Sequence, residues 1–275
     1  MSHADRAAHD ALRIVFLGTG TSTGVPVPTC DCRVCRSDDL RDRRLRPSVR
    51  IEWPGAGILV DTAPDLREQA LRHRIDRVDA VLYTHAHADH VLGLDDLRLY
   101  NWRQRAPIPV YGSPETLEAL GRTFWYVFDG TPVESTKPAI VRREIDGPFE
   151  LLGRTVTPVP VFHGTLPILG YRIGGLAYLT DVSRIPDSSY ELLQDLELLV
   201  LNALRERPHP THLTIDQALC EARRIGARRT ILTHLSHEVH HATTSAGLPG
   251  GIDLAYDGLR VELAEGPVPE RSRQD

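Results

Sequence analysis

The sequence contains a single lysine, Lys137, so its positive charge is carried almost wholly by arginine. Acidic residues still outnumber basic ones, 37 against 32, for a net charge of −5 and a pI near 6.2. That balance lacks the basic face with which a protein grips a long nucleic acid, and it suits a small anionic substrate better. No stretch approaches the roughly 20 apolar residues of a membrane span, and the opening MSHADRAAHDALRIVFLG offers no apolar run long enough for a secretory signal. Those absences point to a cytoplasmic protein with no membrane partner. Cysteine is scarce too. Of four, three crowd into Cys30-Asp-Cys32-Arg-Val-Cys35, and Cys220 stands alone. Such close spacing in a reduced compartment argues for metal ligation rather than a disulfide framework. Cys220, within a helical pattern, reads as a buried apolar residue.

With 41% hydrophobic residues in 275, the chain can bury a substantial core. The expectation is one domain over residues 13–263, with flexible tails at 1–12 and 264–275. Short apolar runs predict strands at Arg13 to Leu17, Ser48 to Glu52, Gly57 to Val60, Ala80 to Tyr83 and Pro109 to Tyr111. Leu66 to His73 and Pro114 to Phe124 have helical patterns, the second with proline suitably placed in its first turn. Asp129 to Pro148 reads as irregular, part of a segment that covers the substrate. Strands return at Thr155 to Val161, Leu169 to Ile173, Leu176 to Thr180, Leu198 to Asn202 and Thr230 to Thr233, with a helix over Thr214 to Ile225. Leu254 and Val261 mark a closing pair. Alternating strands and helices, with several adjacent strands in each half, predict an α/β protein: an αββα sandwich of two mixed sheets flanked by helices.

The segment Thr84-His85-Ala-His87-Ala-Asp89-His90 directly follows a buried strand. Three imidazoles and a carboxylate in six residues suit zinc, manganese or iron, because a turn lets side chains two and four apart converge. This H-x-H-x-D-H pattern resembles the signature of the metallo-β-lactamase superfamily. Matching residues for later ligands follow in order as His163 in VFHG, Asp181 in YLTDVS and His234 in ILTHLSH. The resemblance implies two divalent metals, zinc or manganese. His85, His87 and His163 would hold one, Asp89, His90 and His234 the other, and Asp181 would bridge them. Asp61, ending GILVDT, matches a position that supports a ligand from behind.

A second constellation, Gly18-Thr-Gly20-Thr-Ser-Thr-Gly24-Val-Pro26 followed by the cysteines, resembles the opening of the PhnP-type phosphoribosyl cyclic phosphodiesterases of phosphonate breakdown, an opening shared by PqqB. The glycines lack the lysine of a P-loop and the spacing of a dinucleotide site, and they read as a turn. The resemblance implies a structural zinc on Cys30, Cys32, Cys35 and His237. His240 and His241 compete for the fourth position, and the spacing alone also admits an iron–sulfur cluster. In Arg205-Glu-Arg-Pro-His209-Pro-Thr-His212, the family likeness turns the last histidine toward the active site. His212, as general acid or phosphate contact, and Asp89 are thus the candidate catalytic side chains.

These features predict a metal-dependent phosphodiesterase acting on a small phosphorylated substrate, with 5-phosphoribosyl 1,2-cyclic phosphate opened to ribose 1,5-bisphosphate. The alternatives are an RNA-processing nuclease resembling tRNase Z and a PqqB-like biosynthetic protein. Oligomeric state stays open, a homodimer included.

Overall fold

In the computed structural model, which describes residues 11–130 and 136–263, the unbroken apolar runs become strands buried on both faces. The first half of the chain forms β1 (Leu12–Gly18), β2 (Ser48–Trp53), β3 (Ala56–Val60), β4 (Ala80–Leu82), β5 (Ile108–Gly112) and β6 (Ile140–Glu144). The second half forms β7 (Phe149–Leu151), β8 (Arg154–His163), β9 (Leu166–Ile173), β10 (Leu176–Leu179), β11 (Leu198–Asn202), β12 (Arg229–Thr233) and β13 (Ile252–Leu254). A last strand, β14 (Arg260–Leu263), returns to the first sheet beside β1. The orders are β14-β1-β2-β3-β4-β5-β6 and β13-β12-β11-β10-β9-β8-β7. Each sheet is antiparallel at one end and parallel at the other, the change falling at β3 and β10.

Alternate residues of one strand serve different cores. Leu12, Ile14 and Phe16 of β1 face the second sheet, where they join Tyr171, Ile173, Tyr178, Val200 and Ile231. Val15 and Leu17 face outward with Leu66, Leu97, Tyr100 and Leu117, under the helices Leu66–His73, Arg98–Gln104 and Pro114–Thr123. Strand β11 divides likewise: Leu198 and Val200 turn inward, Leu199 and Leu201 outward against Ile215, Ala218 and Ile225 of the helix Ile215–Ile225. A strand covered on both sides is apolar at every position, which is why these runs do not alternate in sequence. The αββα sandwich is the observed fold.

Four readings change. Asp129 to Pro148 is not irregular throughout: β6 lies within it and pairs in parallel with β5, while residues 131–135 fall outside the described residues. Arg142, Arg143 and Glu144 are exposed, and a charged edge strand of this kind carries no apolar signal. Leu254 and Val261 do not pair, for β13 and β14 border different sheets and the chain crosses between them at Asp257-Gly258. Leu12, assigned to the tail, is buried and opposes Leu263, whereas residues 1–10 and 264–275 lie outside the described residues. Cys220 is exposed, because the stripe Ile215, Ala218, Ala222 and Ile225 forms the buried face of its helix and Cys220 lies off it. No helix among the described residues is long and apolar enough to cross a membrane.

Candidate metal centre

Strand ends supply the site. Asp61 follows β3, the histidine segment follows β4, His163 ends β8, Asp181 follows β10 and His234 follows β12. Ligand sites in α/β sheets commonly gather outside the carboxyl ends of strands, where the chain leaves its ladder. Asp61, Asp181 and His234 all have left-handed backbone conformations, with φ of 64°, 59° and 59°. Non-glycine residues avoid that region, and three such positions around one cluster fit a site whose geometry is held against local preference.

Two groups of ligand-type atoms adjoin, and a third, His163, Asp181 and His212, overlaps both. His85, His87 and His163 form the first, and Asp89, His90, Asp181 and His234 the second, with the ligating atoms of each group within 4.8 Å of one another. Of these two, all members are buried except His87. Asp181 faces several partners, with Oδ2 3.3 Å from His90 Nε2 and Oδ1 3.3 Å from His234 Nε2. Asp89 Oδ2 lies 3.3 Å from His90 Nε2 and 3.9 Å from His234 Nε2.

The remaining ring nitrogens are anchored behind. Asp61 accepts from His90 Nδ1 at 2.7 Å and from the Thr84 amide and hydroxyl, both at 2.8 Å. That bond leaves His90 Nε2 toward the cluster. His163 Nδ1 donates to the Asp181 carbonyl at 2.8 Å, and His85 Nδ1 meets Thr84 Oγ1 at 2.9 Å. Anchors of this kind fix the tautomer and ring angle of metal-binding histidines. The expected supporting role of Asp61 therefore has its geometry.

The donor set fits divalent cations. His85 Nε2, His90 Nε2 and both ring nitrogens of His234 are buried without a hydrogen-bond partner. Among the described residues, only imidazoles form ion pairs with Asp89 and Asp181. Burial alone would raise the Asp181 carboxyl, yet His234 and His90 hold it well below the usual carboxylate range. Burial likewise works against a charged His90, but Asp181 and Asp61 lift it well above its ordinary value. Buried carboxylates thus draw a compensating positive charge into the cluster, the service a metal ion performs.

His212 joins the same corner. It is 9% exposed, its Nε2 lies 3.1 Å from Asp181 Oδ1, and its ring stacks on that of His234 with centroids 4.9 Å apart. Burial pushes its imidazole down to about 4, against the pull of Asp181.

The cysteines also meet their expected histidine. His237 Nδ1 lies 3.2 Å from Cys30 Sγ, 3.5 Å from Cys32 Sγ and 3.6 Å from Cys35 Sγ, a four-donor cluster of the kind that holds tetrahedral zinc. The Cys35 amide hydrogen bond lowers the Cys32 thiol to about 6. His240 and His241 are elsewhere: His240 caps the helix His241–Gly247, and His241 packs on Tyr256.

Two supports were not visible in the sequence reading. Asn202, fully buried at the end of β11, accepts from the Val182 amide at 2.6 Å and so braces the turn after Asp181. A polar residue ending the run Leu-Leu-Val-Leu was the available signal. Arg44, buried with Asp42, donates to the carbonyls of Ser236 and Val239 at 3.0 and 2.8 Å, holding the loop that carries His237. Nothing in Arg41-Asp42-Arg43-Arg44 singles it out.

Comparison with known proteins agrees. Residues 57–235 match the Beta-lactamase superfamily domain. A solved structure, described as a new diphosphatase from the PhnP family, is 46% identical with a TM-score of 0.87, over 92% of this chain and 97% of that one. An octanoyltransferase of Porphyromonas gingivalis (strain ATCC BAA-308 / W83) is 44% identical over 259 residues, and the chain spans only 52% of its length. Ribonuclease Z of Mycobacterium bovis (strain BCG / Pasteur 1173P2) is 26% identical over 291 residues, covering 92% of this chain and 98% of the relative. Two mixed sheets with a His/Asp cluster at their strand ends define the metallo-β-lactamase class of hydrolases. The chain belongs to the beta-lactamase superfamily and, within it, to the PhnP family.

Proposed function

We propose that this protein is a dinuclear metal-dependent phosphodiesterase that uses water to cleave a small phosphate diester, with 5-phosphoribosyl 1,2-cyclic phosphate as its substrate. The observation that carries the reading is the pair of adjoining ligand groups with Asp181 facing the imidazoles of the second. His85, His87 and His163 would hold one cation, Asp89, His90 and His234 the other, and Asp181 would be shared. Zinc and manganese both suit this donor set. When bound, such a pair of cations lowers the pKa of a water and offsets charge on phosphate oxygens.

The chain's own residues do the rest. Asp61, Thr84 and the Asp181 carbonyl hold the ligating rings in place. His212 presents Nε2 beside the shared carboxylate, where as an imidazolium it would pass its proton to the oxygen that leaves phosphorus and as a neutral ring it would hydrogen-bond a phosphate oxygen. A sugar alkoxide is a poor leaving group and gains from such a donor. Cys30, Cys32, Cys35 and His237 would hold a structural zinc, away from the chemistry. The net charge of −5 supports a small substrate over a long RNA, and the clustered thiols suit a cytoplasmic setting.

A second reading, hydrolysis of a diphosphate linkage, is favoured by the 46% identical diphosphatase. Attack at phosphorus is common to both, and the leaving group differs. A panel of cyclic phosphates, linear diesters, nucleoside diphosphates, thioesters and tRNA precursors, given to metal-reconstituted protein, tests the proposal. Fastest turnover is expected on the cyclic phosphate. Preference for the diphosphates selects the second reading, and preference for thioesters or tRNA precursors contradicts both.

A further inference from the structure

Away from the metal centre, one face of the first half of the chain leaves large apolar side chains in water. The helix Leu66–His73 packs inward through Leu66 against Val15 and Leu17 of β1. The helix Arg98–Gln104 is tied to its far end by Tyr100, whose hydroxyl donates to the Ile75 carbonyl at 3.2 Å. These inward contacts leave Leu71 64%, Leu99 58% and Trp102 80% exposed, and none of the three belongs to a hydrophobic core. Leu99 and Trp102, three residues apart, share one side of their helix. A groove of about 560 Å³ runs between the two helices, with Leu66, Ala70 and Tyr100 in its wall and the exposed Leu71 and Leu99 beside them.

Single exposed apolar residues are ordinary on a soluble protein, but an apolar groove flanked by protruding apolar side chains marks an interaction surface. The charges around it narrow the partner. Arg67, Arg74 and Arg103 line the groove together with Asp76 and Asp96, so both signs are interleaved there. Arg103 and Asp76 lie 3.8 Å apart, each largely in solvent. Arg74, which ends the helix Leu66–His73 in the left-handed conformation with φ of 51°, has no carboxylate partner among the described residues. A strongly charged partner or an anionic lipid surface calls for a rim of one sign. A face that holds a groove, protruding side chains and both charges can match itself across a two-fold axis, where each residue meets the other copy's counterpart and the reverse.

We propose that this face joins two copies of the chain in an isologous dimer, with Leu99 and Trp102 of each copy set into the groove of the other. Arg103 and Asp76 then lie at the edge of the interface, the pair of one copy against the pair of the other with opposite charges apposed. Removal from water of aromatic and aliphatic groups that the single chain leaves exposed supplies the driving force.

Sedimentation equilibrium of the full-length protein tests this. The parent is expected at twice the 30.6 kDa of one chain. Leu99→Arg and Trp102→Glu should each weaken association by about 30-fold or more, as loss of a central contact does at such an interface. Both variants should keep the parent's far-ultraviolet circular dichroism, since neither side chain lies in a core. Arg103→Asp should also weaken the dimer, and adding Asp76→Arg should recover it, because the exchanged pair restores opposite signs across the axis. Hydrogen exchange over residues 66–75 and 98–104 of the parent should slow as concentration rises, a readout that stands even where a variant fails to fold. A parent that stays monomeric, folded variants that associate as the parent does, or exchange that slows with concentration only in other segments would overturn the proposal.

Discussion

Asp61 shows how one residue sets the chemistry of another without facing the substrate. Its carboxylate accepts from His90 Nδ1 and twice from Thr84, and it does so from a backbone with φ of 64°. Asparagine tolerates that conformation, so Asp61→Asn isolates the charge and the acceptors. The substitution should weaken metal binding by about 10–100-fold, read by titration against a competing chelator. Unchanged affinity would remove the anchoring role. His212→Ala should keep both metals and lose roughly 10²-fold or more on an alkoxide ester, with a much smaller loss on a p-nitrophenyl diester. A third residue carries a pH signature. Asp257 accepts from Thr19 N, Thr19 Oγ1 and Leu45 N, and burial lifts its carboxyl from 3.8 to about 6. Because the folded value is the higher one, its contribution to stability is complete below the unfolded pKa and is lost as pH rises through about 6. Carboxyl carbon-13 titration should find a midpoint near 6 for Asp257, and a midpoint near its ordinary value would refute the account of its burial.

At the scale of elements, loops are tied to strand ends by backbone approaches that leave no room. Thr62 donates its amide to His90 O at 2.7 Å, and Gly93 donates to Thr62 O at 2.9 Å, so the turn after the histidines lies on the exit of β3. A Cβ on Gly93 would fall against the Ala63 carbonyl and Leu66 Cβ. Gly93→Ala should therefore cost about 1–3 kcal/mol, read by denaturant unfolding, and a neutral effect would mean the turn can yield. The cysteine loop is joined to the loop after β12 by His237 and by Arg44 on the carbonyls of Ser236 and Val239. Cys32→Ser should lower Tm by several degrees and remove one equivalent of zinc, while the folded fraction still hydrolyses its ester. Lost turnover with unchanged Tm and zinc content would contradict a structural role. Central strands were legible at this scale because burial on both faces writes a continuous apolar run. The edge strand β6 was not, since Arg142, Arg143 and Glu144 owe their place to backbone pairing with β5.

Across the whole molecule, each half of the chain builds one sheet except for β14, which returns to the first, and the site gathers ligands from both. His85, His87, Asp89 and His90 could be read directly, because a single turn contains them all. The other ligand candidates lie far along the chain, and no local pattern joins His163, Asp181 or His234 to that turn. They were legible only through family likeness and their positions after apolar runs. Arg44 and Asn202 escaped because their roles come from packing partners that the sequence does not indicate. The destination of β14 escaped for a related reason, as Leu254 and Val261 are close in sequence but border different sheets. The central claim is that these separated residues converge on two metal ions, and anomalous diffraction from crystals grown with zinc or manganese tests it most directly. The account predicts two peaks at the His/Asp cluster about 3.5–4 Å apart, with Asp181 touching both. A single peak, or two peaks with Asp181 bound to neither, would contradict it.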